Sequence, residues 1–170
     1  DAYGRHPCIE GSMACPVEFE VVDVFNPEDK YNFIFGTSHF IKTVEDVYET
    51  LVQSGTAIKF GVAFCEASGP RLVRLEGNDD ELIDIARKNA LAVGCGHTFF
   101  IFLNNAFPLN VLNQLKMVPE VTSIHCATQN PTKIVVSKVG DGRGFVSVID
   151  GLKPLGVEDE SAKADRVKFL

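Results

Sequence analysis

The run Thr98-Phe99-Phe100-Ile101-Phe102-Leu103 constrains this chain most. It is apolar without polar alternation, so as a strand it must be covered on both faces. It is bracketed by Gly94-Cys95-Gly96-His97 on one side and Asn104-Asn105 on the other. A titratable imidazole at one tip of a central strand, rimmed by glycines, suits a site better than a core. Imidazole carries protons near neutral pH and can accept a phosphoryl group.

The elements around this run interleave. Strands are predicted over Val17–Phe25, Asn32–Phe35, Ile58–Cys65, Arg71–Leu75, Val121–Ala127, Thr132–Lys138 and Phe145–Ile149. Helices are predicted from a Thr43 cap to Ser54, from an Asn78 cap to Gly94, from Pro108 to Met117, and over Ser161–Leu170. The alternation predicts an α/β domain: a mixed sheet, parallel except at its hairpins, with helices on both sides. Ligands of open α/β sheets sit beyond the carboxyl ends of strands. That rule favours Asn104 and Asn105 over His97, a tension the residues leave open.

The 170 residues suit one domain over 13–170, with Asp1 to Ser12 read as a cloning scar. No run is long enough to span a bilayer and no secretory signal is visible, so a soluble, cytoplasmic protein without membrane association is expected. The formal charge of −7, without a Lys/Arg cluster, argues against nucleic acid as partner. Outside the scar, Cys15, Cys65, Cys95 and Cys126 never form C-x-x-C. They are expected to be buried and reduced, ahead of a metal reading on Cys95, His97, His125 and Cys126.

Each candidate has a functional and a structural reading. His97 is a nucleophile or a carbonyl-bonded strand start. His39, with Ser38 and Lys42 at a helix start, is an anion site or a solvated cap. Gly140-Asp141-Gly142-Arg143-Gly144 cradles phosphate with Arg143 as a forked donor, or is a hairpin turn. Asn104, Asn105 and Asn130 read a base edge or ribose, or serve turns. Glu66 is a ligand contact or general base, or a solvated hairpin end. Asp79-Asp80-Glu81 could hold Mg²⁺, though a helix start accounts for them better. No P-loop, Rossmann glycine pattern, nucleophile elbow or kinase signature is present.

Longer segments carry a resemblance: Gly36-Thr37-Ser38-His39-Phe40-Ile41-Lys42-Thr43-Val44-Glu45-Asp46, Lys59 through Ser68, Gly96-His97-Thr98-Phe99 and Asn105-Ala106-Phe107-Pro108. Together they resemble the adenosine-specific kinase family, common in archaea, over nearly all of the chain after Met13. The resemblance implies a three-layer α/β sandwich that binds adenosine and AMP in preference to ADP or ATP. It also implies a histidine that carries a phosphoryl group, His97 in preference to His39, and family chains that run somewhat past Leu170. On this reading a histidine relays phosphate to or from the ribose hydroxyl, Lys42 or Arg143 offsets phosphate charge, and Mg²⁺ could assist. A homo-oligomer is expected. The rival readings are a non-catalytic nucleotide sensor and the Cys/His metalloprotein.

Overall fold

A computed structural model describes residues 15–170. The reading of Asp1–Ser12 as a scar lies outside them. Eight strands and four helices follow in the order β1 (Glu18–Asp23), β2 (Asn32–Ser38), α1 (Thr43–Ser54), β3 (Lys59–Cys65), β4 (Val73–Gly77), α2 (Asp80–Val93), β5 (Thr98–Asn104), α3 (Leu112–Lys116), β6 (Val121–Thr128), β7 (Thr132–Val139), β8 (Gly142–Asp150) and α4 (Glu160–Phe169). They form a five-stranded sheet, β4-β3-β5-β2-β6, and a three-stranded sheet, β1-β7-β8.

The predicted strand at Thr98–Leu103 is the middle of the larger sheet, and its side chains explain the missing alternation. Phe100 and Phe102 point to one core with Phe33, Phe35 and Ala63. Phe99, Ile101 and Leu103 point to the other with Ile34, Val62 and Phe64. α2 (Leu82, Ile85, Ala90) and the inner face of the smaller sheet (Val22, Ile134, Val136) cover the first. α1 (Val44, Val47, Leu51) and α3 (Leu115) cover the second.

The sheet is not mixed. Every pairing in it is antiparallel. The helical crossovers do join parallel strands: α1 links β2 to β3, and α2 links β4 to β5. In each case one antiparallel strand inserts between the pair, β5 in the first and β3 in the second. Parallel partners therefore never become neighbours, the arrangement of split β-α-β units. The carboxyl-end rule for parallel sheets loses its footing here, because both ends of the sheet carry carboxyl and amino termini.

Two caps differ from expectation. Asp79, not Asn78, caps α2, its Oδ1 accepting from the Leu82 amide at 3.1 Å. Asn78 instead binds the start of β3, accepting from the Phe60 amide and donating to the Ile58 carbonyl. Thr43 is the first helical residue of α1 and makes no side-chain cap. Its hydroxyl donates to the Phe40 carbonyl at 2.7 Å. Cys65, Cys95 and Cys126 are buried free thiols, and burial pushes Cys95 up to about 11 and Cys126 up to about 12. Cys15 is disulfide-bonded, contrary to the reduced thiol expected of it. No described helix is long and apolar enough to cross a membrane.

Candidate functional site

The central sheet has two chemically distinct ends. At one, β2 and β3 finish and β5 begins, which brings Ser38, Glu66 and His97 to the same rim. At the other stand Asn32, Lys59 and Asn104, paired through the same ladders. His97 and Asn105 are therefore separated by roughly 20 Å, the rise of the strand between them. They cannot share one small ligand, and the predicted set divides accordingly.

His97 occupies the central position of its rim. Its amide donates to the Cys65 carbonyl at 2.8 Å, and its carbonyl accepts from the Ser38 amide at 2.8 Å. These bonds tie it to both neighbouring strands. Its φ is +64°, a left-handed conformation that a histidine adopts only at a cost. The imidazole lies parallel to the Phe64 ring, 6.0 Å between centroids. It is exposed and has no hydrogen-bond partner among the described residues. The carbonyl-bonded structural reading of this side chain does not hold, since only the backbone is bonded.

Gly96 has a packing reason for being glycine. A Cβ there would lie 2.7 Å from the Cβ of Ala67. Gly36, two residues before Ser38, meets a harder limit: its Cβ would lie 2.5 Å from the Ser123 carbonyl oxygen.

The loop from β2 to α1 supplies the second histidine. His39 is exposed, and its amide donates to the Glu120 carbonyl at 2.9 Å. Its ring is free of hydrogen bonds among the described residues. Ser38 is buried, its hydroxyl accepting from Thr43 at 3.0 Å, so it positions the loop instead of facing solvent. Lys42 is engaged as well, donating to both oxygens of Asp46 at 2.9 and 2.6 Å. The anion reading of the α1 start loses two of its donors. The Thr43 and Val44 amides already donate to the Phe40 and Ile41 carbonyls.

Glu120 is the residue that sequence reasoning passed over. It is 7% exposed, and its Oε2 is buried with no partner among the described residues. Its side chain lies beside the Asp46 carboxyl group. The Lys42 ammonium first, and then this contact, hold the Asp46 carboxyl below its ordinary range. Nothing in Pro119-Glu120 distinguishes this carboxylate from a surface one; the packing of α1 against the start of β6 does.

Beside this rim opens a cleft of about 690 Å³, lined by Glu66, Arg71, Leu72, Leu91, Gly94, Gly96, Asp141 and Arg143. Its volume falls in the range of small-ligand sites. Two of the predicted binding residues line it, but both are occupied. Glu66 accepts from the Leu72 amide at 2.8 Å and from Arg74 at 3.0 and 2.9 Å. The Leu72 amide first, then Arg74, lower its pKa against the opposing effect of burial. It closes the β3–β4 turn, with three of its acceptor positions taken. Arg143 caps α2, donating to the Val93 and Ala92 carbonyls at 2.9 and 3.3 Å and to Glu20 at 3.0 Å. The glycine run before it is a hairpin turn, with Gly140 at φ +57° between paired Val139 and Gly142. The cation with free capacity is Arg71, which is exposed, at φ +52°, and without an ion-pair partner among the described residues. Its place in an ordinary-looking Gly-Pro-Arg turn hid it from sequence reasoning.

At the far rim, Asn104 and Asn105 line a smaller hollow of about 430 Å³ with Lys30, Asn32 and Phe107. Asn104 Oδ1 accepts from the Asn105 amide at 2.9 Å, and Asn105 takes φ +58°. Asn130 serves the β6–β7 turn, donating to Asp150 at 3.0 Å. These amides do turn chemistry, away from the histidines.

A third histidine stands behind the first rim. His125 on β6 lies 3.2 Å from the Thr37 hydroxyl and stacks on Phe145 at 4.2 Å. Burial holds its pKa below the ordinary value. No cluster of three or more His, Cys, Asp or Glu among the described residues could hold a metal. Cys95 and Cys126 are buried while the His97 ring is exposed, so the four-residue metal set does not converge. Of the Asp79-Asp80-Glu81 run, Asp79 caps α2 and Asp80 and Glu81 stand in its first turn, as the helix-start reading has it.

The α/β domain thus carries a free imidazole at the tip of its central strand and an arginine-edged cleft beside it. The model of the adenosine specific kinase family matches residues 22–170. The chain belongs to that family. A crystal structure of the PH1918 protein from Pyrococcus horikoshii OT3 is similar to it, with 39% identity and a TM-score of 0.86. The match covers 91% of this chain and 94% of that one. No curated protein matches.

Proposed function

We propose that this chain is a three-layer α/β domain that binds adenosine and AMP in the cytoplasm and moves a phosphoryl group through His97. The observation that carries this reading is the state of that side chain. It is the exposed, unbonded imidazole of a residue held by two strands in a strained conformation. Strain of this kind persists where the surroundings over-determine it, and it concentrates at functional sites.

The chemistry needs only the imidazole and a phosphate donor. An imidazole nitrogen attacks the terminal phosphorus. An N–P bond forms as the donor's bridging P–O bond breaks, and the leaving oxygen takes the electron pair. The ribose hydroxyl then attacks the same phosphorus, the N–P bond breaks, and the hydroxyl proton passes to solvent. Dividing the transfer in this way replaces one difficult step by two easier ones. Arg71 is placed to offset phosphate charge in the cleft, and Phe64 holds the ring flat. No step is assigned to Mg²⁺.

Incubation with a γ-labelled nucleoside triphosphate tests the proposal. Label should appear that is lost in acid and stable in base, and His97→Ala should abolish it. Calorimetry should show that the same variant still binds AMP. Label that survives His97→Ala but disappears in His39→Ala moves the chemistry to the β2–α1 loop. Absence of label, with AMP still bound, leaves a nucleotide sensor.

A further inference from the structure

We infer that the groove between α1 and the stretch leading from α3 into β6 binds a linear aliphatic diamine, one ammonium at the buried carboxyl of Glu120 and the other at Glu49. His97 is not among the walls of this groove, so the site stands whether or not that residue carries phosphate.

The groove encloses about 550 Å³, within the range of small-ligand sites. One wall is the outer side of α1. Asp46, Glu49, Thr50 and Gln53 follow there at intervals of three, one and three residues, so they share one face of the helix. The row they form is roughly 10 Å long at the rise of an α-helix. The opposite wall runs through Gln114, Met117, Val118 and Pro119. Three of these four are apolar, and Met117 is 81% exposed. A trough with one polar wall and one apolar wall suits an elongated ligand whose middle is hydrocarbon.

The polar wall offers acceptors. The Thr50 hydroxyl donates to the Asp46 carbonyl at 2.7 Å, and the Ser54 hydroxyl donates to the Thr50 carbonyl at 2.7 Å. Their protons are committed to the helix, which leaves oxygen lone pairs for a ligand. No Lys or Arg lines the groove. Lys42 holds both oxygens of Asp46, but Glu49 has no ion-pair partner among the described residues.

Glu120 turns an acidic wall into a site. Its carboxyl group lies beside that of Asp46, at the end of the groove where Pro119 stands. Its Oε2 is buried and has no partner among the described residues. Buried polar atoms ordinarily have partners, so this oxygen needs a donor from outside the chain. An ammonium on a methylene chain supplies three donors and a full positive charge on a narrow stem, which can reach a buried atom. Glu49, one turn along α1 from Asp46, sets the place of a second ammonium. No three His, Cys, Asp or Glu among the described residues converge as metal ligands, which favours the amine over a divalent cation.

Calorimetry on the full chain with putrescine tests this, with butylamine and Mg²⁺ at matched ionic strength as controls. The net charge of −7 attracts cations in general, and the controls separate that attraction from a site. Putrescine should bind saturably, about tenfold or more tighter than butylamine, and Mg²⁺ should not displace it. Glu120→Gln keeps the shape of the side chain and removes its charge, and it should weaken putrescine about tenfold. Glu49→Gln should weaken it about fivefold with thermal unfolding unchanged, which reads the site even where Glu120→Gln disturbs folding. His97→Ala should bind putrescine as the unaltered chain does. Absence of saturable binding overturns the proposal. So does equal affinity for butylamine, displacement by Mg²⁺, indifference to Glu49→Gln, or loss of binding in His97→Ala.

Discussion

Both rims of the central sheet carry side chains in the left-handed region, but of different kinds. At the amide rim they are Glu28, Asp29 and Asn105. Asp29 and Asn105 enter that region readily because their short polar side chains bond locally, and Glu28 takes it inside the tight Pro27–Asp29 turn. At the histidine rim they are Phe40, Arg71 and His97. Phe40 and Arg71 have no such relief, and His97 is held there by backbone bonds to both neighbouring strands. One rim uses left-handed residues to turn the chain. The other uses them to aim side chains outward, and there the free imidazole and the free guanidinium are found.

Replacing the left-handed residue at each rim by glycine should break or sharpen this contrast most strongly. His97→Gly should lower phosphoryl labelling at least a hundredfold, whereas Asn105→Gly should leave it within twofold. In thermal unfolding neither should lose stability, because glycine relieves the positive φ, by up to about 1 kcal/mol at His97. Equal loss of labelling in both variants would erase the functional distinction between the rims.

The packing beneath the histidine rim should be the next most sensitive. Gly36→Ala places a methyl group on the Ser123 carbonyl. It should cost about 1–3 kcal/mol by denaturant unfolding, as overpacking does. A neutral result would mean that β6 yields easily there. Third in size is Arg71→Ala, which should weaken AMP binding about tenfold, or about 1.4 kcal/mol, in calorimetry. Adenosine, lacking the phosphate, should bind nearly as before; a matching loss for both ligands would remove Arg71 from phosphate recognition.

The smallest effect is a pH dependence on the histidine side. His125 has a lowered pKa in the folded protein because burial disfavours its charged form. The unfolded chain therefore binds its proton first. The stability His125 contributes is complete above about pH 6.5 and is lost as pH falls through its lowered folded value. The carboxylates with lowered pKa, Glu20 and Glu66 among them, act below this window. Melting temperature should drop by a few degrees between pH 7 and 5, and His125→Gln should flatten that slope. A slope unchanged in His125→Gln would place the titration elsewhere.

The elements were legible residue by residue where local chemistry decides them. The left-handed Gly94 ends α2 where a glycine stop is expected, and the Asp-Gly turn after Gly140 joins β7 to β8. The candidate site was legible only in part. His97 stands at the tip of the central strand as read; that His39 shares its rim is a product of the fold, and both rings are free of hydrogen bonds among the described residues. Lys42, Glu66 and Arg143 looked available because a sequence displays a charge and hides its partner. Asp46, Arg74 and the carbonyls at the end of α2 occupy them. Glu120 and Arg71 were illegible for the opposite reason, since only packing leaves the one buried and the other unpaired.

By itself, then, the pattern of apolar residues determined the doubly covered central strand, the helices that cover it and the imidazole at its tip. These follow from periodicity and turn chemistry, which act over a few residues. The tertiary structure alone decided that β5 and β3 would insert between parallel partners and make the sheet antiparallel. It also divided the amides from the histidines by the length of a strand. Both outcomes depend on which strands become neighbours, and that is set by how two apolar faces are covered at once, not by any local stretch of chain.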